Sequence, residues 1–148
     1  MSLIRFGALA IVAFVLATFG ADLVARMSVA GDPAGLAASE HLYWAAQQPV
    51  GVVMLLAPFL IMALICATVA KRSTMMRAIL LFGVIAAALL SLYDLGYHGS
   101  QLALRDEQWT AAALSVGLLP FLAIPLLLIG GVAGIILVKT GGRRAPQN

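Results

Sequence analysis

Charge is scarce in this chain. Only 10% of its 148 residues are Asp, Glu, Lys or Arg, against 63% hydrophobic, where a soluble domain carries about 25% charged residues. A water-soluble fold of this size could not cover so much apolar surface, and lipid as the solvent accounts for it. Cysteine is reduced to Cys66, alone in an apolar run, which excludes an intrachain disulfide, a CxxC redox pair and a cysteine metal site. Histidine is limited to His41 and His98, neither near the middle of an apolar run, so a haem held by two imidazoles at mid-membrane has no ligands. No lysine lies inside an apolar run, so a retinal Schiff base has no attachment point. No charged side chain sits near the centre of any run either; the polar atoms there are limited to groups such as Thr18, Cys66 and Ser115. A proton relay or a pump for charged substrates needs such groups. A nucleotide-binding P-loop, an HExxH helix and a GxSxG nucleophile elbow are also missing. No cofactor is expected.

What is present is four long apolar stretches, at about 4–25, 49–70, 76–95 and 111–138. A hydrocarbon core of about 30 Å takes roughly 20 residues of helix. The runs are continuous rather than alternating, which argues against a membrane β-barrel. The expected fold is therefore all-α: a polytopic four-helix bundle forming a single membrane domain. Pro58 in the second stretch, and Pro120 and Pro125 in the long fourth one, predict bends. The first stretch has the outline of a signal peptide, with Arg5 before the apolar run and small residues around Ala21, and is read as a true span.

The charges are sorted by side. Arg5, Lys71, Arg72, Arg77, Lys139, Arg143 and Arg144, seven of the nine basic residues, flank the spans at one end. All six acids, Asp22, Asp32, Glu40, Asp94, Asp106 and Glu107, lie at the other, together with Arg26 and Arg105. Basic residues stay in the cytoplasm. Both chain ends are thus expected inside, with outer loops at 26–48 and 96–110 and a cytoplasmic tail at 139–148. Arginine outnumbers lysine seven to two, and Ala, Leu and Gly dominate, a composition that fits a GC-rich bacterium and an inner-membrane location. The basic residues then set topology, and nucleic acid is not an expected partner.

The outer loops carry structure of their own. Asp32-Pro33 has the form of a helix start, Asp as cap and Pro at the first helical position. The Ala-rich run that follows, with Leu36, Leu42, Tyr43 and Trp44, predicts a short interfacial helix. Trp109 provides a second interfacial anchor, and 101–108 suits a helical extension above the membrane. Each half of the chain reads span, outer loop, span, with Asp22-Leu23 and Asp94-Leu95 at matching places, the pattern of a parallel tandem repeat.

Chemistry-bearing residues gather at the outer end. Asp94 and His98 are four apart and share a helix face, as do Tyr93 and Tyr97. Asp22 closes the first span at a similar depth, with Glu40 and His41 in the first loop. Asp22, Glu40, His41, Asp94 and His98 form the candidate polar cluster. Imidazoles among carboxylates suit a divalent metal, for which His41, Asp94 and His98 are the ligands to consider, or an acid–base pair. The spacing matches no ligand motif, and the plainer reading has these groups tying helix ends together at the headgroups. Small residues at helical spacing form a second feature: Gly130 and Gly134 in the fourth span, Ala13, Ala17 and Ala21 in the first, Ala63 and Ala67 in the second. Such ridges let helices approach closely, either within the bundle or against another membrane subunit or a second copy.

Three functional expectations follow. The leading one is an accessory or scaffold subunit of a larger membrane assembly. The second is a channel or carrier for a neutral or apolar substrate, resting on the proline-broken helices and the carbonyls they free. The third is a periplasm-facing enzyme or metal site built on the outer Asp/Glu/His cluster.

Overall fold

The computed structural model describes residues 2–141. The end of the tail, with Arg143 and Arg144, lies outside the described residues. Among those described there is no strand, and four helices are long and apolar enough to cross a membrane. They are α1 (Leu3–Ala30), α3 (Pro49–Arg72), α4 (Met75–Arg105) and α5 (Trp109–Thr140), with the shorter α2 (Ala34–Gln47) between the first two.

α1 outruns its apolar stretch by about a turn, where Arg26 bonds back to Asp22 and the Ser28 hydroxyl to the Val24 carbonyl. Phe6, Ala10, Ala13, Ala17, Ala21 and Ala25 are all buried. From Ala13 onward this ridge repeats every four residues, and an ordinary helix advances 400° over four residues, so the ridge would drift about 40° per step. A wide turn at Leu16–Gly20 offsets the drift, the Ala21 N–H reaching back to the Leu16 carbonyl, five residues instead of four; a second wide turn at Arg26–Ala30, beyond the ridge, brings the Gly31 N–H to the Arg26 carbonyl. Asp22, beside Ala21, is thereby carried inward and is only 5% exposed. Gly31 (φ 76°) ends the helix in the left-handed conformation. α2 then begins at Ala34 rather than at Pro33. Pro33 is extended (ψ 145°) and occupies the capping position, where it has no side-chain acceptor to offer.

α4 does not stop at Leu95. It continues to Arg105 because Tyr97, Ser100 and Gln101 are buried against neighbours there, and only Asp106–Gln108 remain to turn the chain, with Glu107 at φ 58°. The two halves therefore differ: one connection contains a 14-residue helix and the other is a tight turn. α5 breaks at Leu118, between Trp109–Gly117 and Leu119–Gly141. Pro120 removes the N–H that would have continued the ladder, and the neighbouring Gly117 leaves the turn free to reset.

α3 and α4 form the middle of the bundle. α1 and α5 each pack against both, on opposite sides, and share no substantial contact with one another among the described residues. Buried Phe59, Met62, Cys66, Leu89 and Tyr93 fill the centre. Ring pairs Phe14–Phe59 and Phe59–Tyr93, at centroid distances of 5.7 and 5.2 Å, link α1, α3 and α4 through edge contacts. Pro58 has no N–H for the Met54 carbonyl and its ring props the helix open; one residue on, the Leu55 carbonyl accepts from the Tyr93 hydroxyl at 2.7 Å. At the opposite end Thr74 caps α4 by accepting from the Arg77 N–H, and the Arg77 guanidinium donates to the Leu137 carbonyl of α5 at 3.1 Å.

The small residues of α5 face inward. A methyl group added at Gly130 would lie 2.5 Å from Ile85 Cδ1, and one at Gly134 3.0 Å from Val69 Cγ2. Ala13, Ala17, Ala63 and Ala67 are likewise buried within the bundle. Among the glycines, Gly96 is the tightest after Gly130: an added methyl would sit 2.6 Å from Leu119 Cδ2, with Leu119 itself 1% exposed. Gly96→Val is therefore expected to lower the thermal midpoint in detergent, by an overpacking cost of about 1–3 kcal/mol. Gly131→Ala, where an added methyl meets nothing within 4 Å, should leave the midpoint unchanged or raise it. Equal loss in both variants would contradict this packing.

Candidate polar site at the acidic end

Asp22 is the centre of the polar cluster. Its carboxylate meets three partners from three directions. Arg26, one helical turn later on α1, places Nε 3.1 Å from Oδ2. His41 of α2 places Nδ1 2.9 Å from the same oxygen. Gln101 of α4 donates from Nε2 to Oδ1 at 3.3 Å. Arg26 also donates from Nη1 to Glu40 Oε2 at 2.9 Å, so one guanidinium spans a buried and an exposed carboxylate. Among the described residues every fully buried side-chain N or O atom has a hydrogen-bond partner, as a low-dielectric site requires.

The elements explain the placement. The wide turn before Asp22 aims it at α4, and the helical spacing of four puts Arg26 beside it. On α2, Glu40 and His41 flank the side that Ala37 buries against the bundle. The His41 ring is edge-on to Phe19, centroids 5.3 Å apart, and lies 6.4 Å from the Tyr97 ring. The imidazole is thus oriented by a carboxylate at Nδ1 and framed by aromatic rings.

Asp94 and His98 form a separate pair. His98 Nδ1 lies 3.3 Å from Asp94 Oδ1 and 3.1 Å from the Asp94 carbonyl, and its Nε2 lies 3.3 Å from Ser28 Oγ on α1. The Asp94 side chain is 52% exposed. The five candidates from the sequence therefore divide: Asp22, Glu40 and His41 are drawn together, while Asp94 and His98 stand apart from them. Among the described residues no three His, Cys, Asp or Glu side chains converge as metal ligands, His41, Asp94 and His98 included.

Two members of the network were not among the candidates. Arg26 follows Asp22 by four residues, a helical pairing signal visible in the sequence, but its place among the acids made it an exception to the charge sorting. Gln101 could be found only once α4 was known to continue past Leu95.

Chemically, a histidine held by a carboxylate at Nδ1 presents Nε2 as an acceptor, the orientation an acid–base histidine needs. Among the described residues no Ser, Thr or Cys hydrogen-bonds to that nitrogen. What the arrangement does in itself is join α1, α2 and α4 through a hydrogen-bonded ion-pair network centred on the buried Asp22.

Helices and network together define a small all-helical protein with four candidate membrane spans. Compared with known families, with curated proteins and with solved structures, the chain finds no match in any of the three.

Breaking a buried pair leaves an uncompensated charge and costs about 3–5 kcal/mol, whereas an exposed pair contributes about 0–1 kcal/mol. Asp22→Ala is expected to destabilise the protein by several kcal/mol and to increase hydrogen exchange throughout α2. Asp94→Ala should change stability by less than about 1 kcal/mol. Comparable losses in the two variants would show that Asp22 is not the anchor.

Proposed function

We propose that this chain is an accessory or scaffold subunit of a larger assembly in a bacterial inner membrane, with both ends in the cytoplasm and α2 resting at the outer surface. One observation carries the reading: the fold commits its buried charges to fixing a helix that has almost no core of its own. α2 buries only Ala37. Its apolar side chains point away from the bundle, with Leu36 47%, Tyr43 59% and Trp44 52% exposed. Tyr43 and Trp44 are edge-on to one another at 5.6 Å, a preformed aromatic pair of the type enriched at the centre of protein interfaces. The ties from Asp22 and Arg26 to His41 and Glu40 hold this face in one orientation. A rigid aromatic face beyond the spans suits docking to a neighbouring membrane subunit or a second copy.

The other readings have less to stand on. For a channel or carrier, the carbonyl beside Pro58 is already engaged by Tyr93, and the middle of the bundle is packed with Phe59, Met62 and Leu89. For an outer metal or acid–base site, the buried Asp22 is saturated by its own neighbours. Orientation rests on the sorting of basic and acidic residues between the two ends.

Extraction into native nanodiscs, followed by mass spectrometry of co-purifying chains, tests the proposal. A stoichiometric partner chain or a second copy is expected, and Tyr43→Ala with Trp44→Ala should release it without unfolding the bundle. A monodisperse lone monomer in nanodiscs would overturn it. Reporter fusions that are active in the periplasm should be silent after Thr140 and active within Gly31–Pro33; the reverse pattern would invert the topology.

A further inference from the structure

A furrow runs between α3 and α5 on the outside of the bundle, away from the polar network. Its upper part, about 520 Å³, is lined by apolar side chains together with Thr68, Gly131 and Gly134, and has Arg72 and Lys139 at its mouth. A second hollow, about 420 Å³, shares Ile65, Gly131 and Ile135 with the first and carries the furrow on to Ile61. Each volume lies within the range of small-molecule sites, roughly 300–1,000 Å³. From Ile61 to Arg72 the furrow extends about 16 Å at 1.5 Å per residue, close to half of a hydrocarbon core of about 30 Å. Its cause is Gly131, where the absent side chain leaves open space on the α5 surface.

The mouth is as distinctive as the floor. Arg72 and Lys139 occupy the last turns of α3 and α5. Among the described residues neither forms an ion pair, and all six acids of the chain belong to the opposite end. The C-terminal ends of the two helices contribute about half a negative charge each, which two full positive charges outweigh.

We propose that this furrow is a binding site for an anionic phospholipid, one acyl chain lying along Ile61, Ile65, Gly131 and Ile135 and the headgroup phosphate held between Arg72 and Lys139. The length matches one leaflet, the floor is apolar, and the charge at the mouth is complementary to a phosphodiester. Basic clefts between spans recognise lipid headgroups by this combination. The site goes beyond the scaffold reading and is independent of it: a chain without any protein partner can still hold the lipid.

Native mass spectrometry of the full chain in detergent, titrated separately with phosphatidylglycerol and phosphatidylcholine, reads the site directly. One phosphatidylglycerol should be retained in preference to phosphatidylcholine. Arg72→Gln and Lys139→Gln should each weaken retention of phosphatidylglycerol about five-fold, and the double variant about 25-fold, with phosphatidylcholine little changed. Arg72→Lys should keep most of the preference. Gly131→Leu, which fills the floor at a position where an added Cβ meets nothing within 4 Å, should reduce retention of both lipids while the thermal midpoint without lipid stays within a few degrees of the parent. Equal retention of the two lipids by the parent chain, or a preference unaltered in the folded double glutamine variant, overturns the proposal.

Discussion

The carboxylate of Asp22 is the constraint around which the acidic end of this protein is organised. A charge removed from water is stable only when its surroundings replace the lost solvation. Here the replacement comes from Arg26 in the same helix, His41 in α2 and Gln101 in α4. Each partner imposes a requirement on the fold. The wide turn at Leu16–Gly20 must bring Asp22 inward, α4 must persist to Gln101, and α2 must lie within reach of both Asp22 and Arg26. The last requirement matters most, because burying Ala37 alone supplies little hydrophobic driving force to position α2.

The apolar part of the molecule obeys the complementary constraint that backbone groups in lipid must find partners within the protein. Hydroxyl side chains there bond to their own helix: Thr18 to the Phe14 carbonyl, Thr68 to Leu64 and Ser115 to Ala111. This leaves few donors for cross-helix hydrogen bonding, and association falls to close packing. Gly96 against Leu119, and Gly130 against Ile85, are the glycines that leave least room for a Cβ. The exceptions are informative. Tyr93 reaches across to α3 beside Pro58, and Arg77 reaches across to α5 near its end, so cross-helix donors appear where a helix is perturbed or terminates.

The four apolar helices were legible in the sequence because length and hydropathy suffice to define them. Their ends were less so. An apolar window finishes where polar residues begin, but a helix finishes where its hydrogen bonds and packing do. Tyr97, Ser100 and Gln101 lie beyond the apolar stretch and are buried all the same. The first wide turn of α1 left only an indirect trace, an alanine ridge with a period of four instead of 3.6. The same limitation applies to the polar cluster. Spacing within one helix brings Asp94 and His98 into view, whereas the contact between Asp22 and His41, 19 positions apart, depends on how α2 folds back over α1. Local periodicity carries no information about that return.

The two ends treat charge in opposite ways, and the difference follows from what each end must do. At the acidic end Asp22 and Arg26 are largely desolvated and are matched within the chain, a geometry that fixes helices, while Asp94, Asp106 and Glu107 stay exposed. At the basic end Arg72 and Lys139 are solvent-facing and unmatched among the described residues, while Arg77 is used to join α4 to α5. The net charge of +3 is therefore not a uniform property of the molecule. Most of the positive potential available to surroundings is concentrated where the bundle has no acids, and the acidic end presents exposed carboxylates and an aromatic face. Attraction for anions and contact through the aromatic face are thus separated along the bundle axis, so a change that weakens one is expected to leave the other intact.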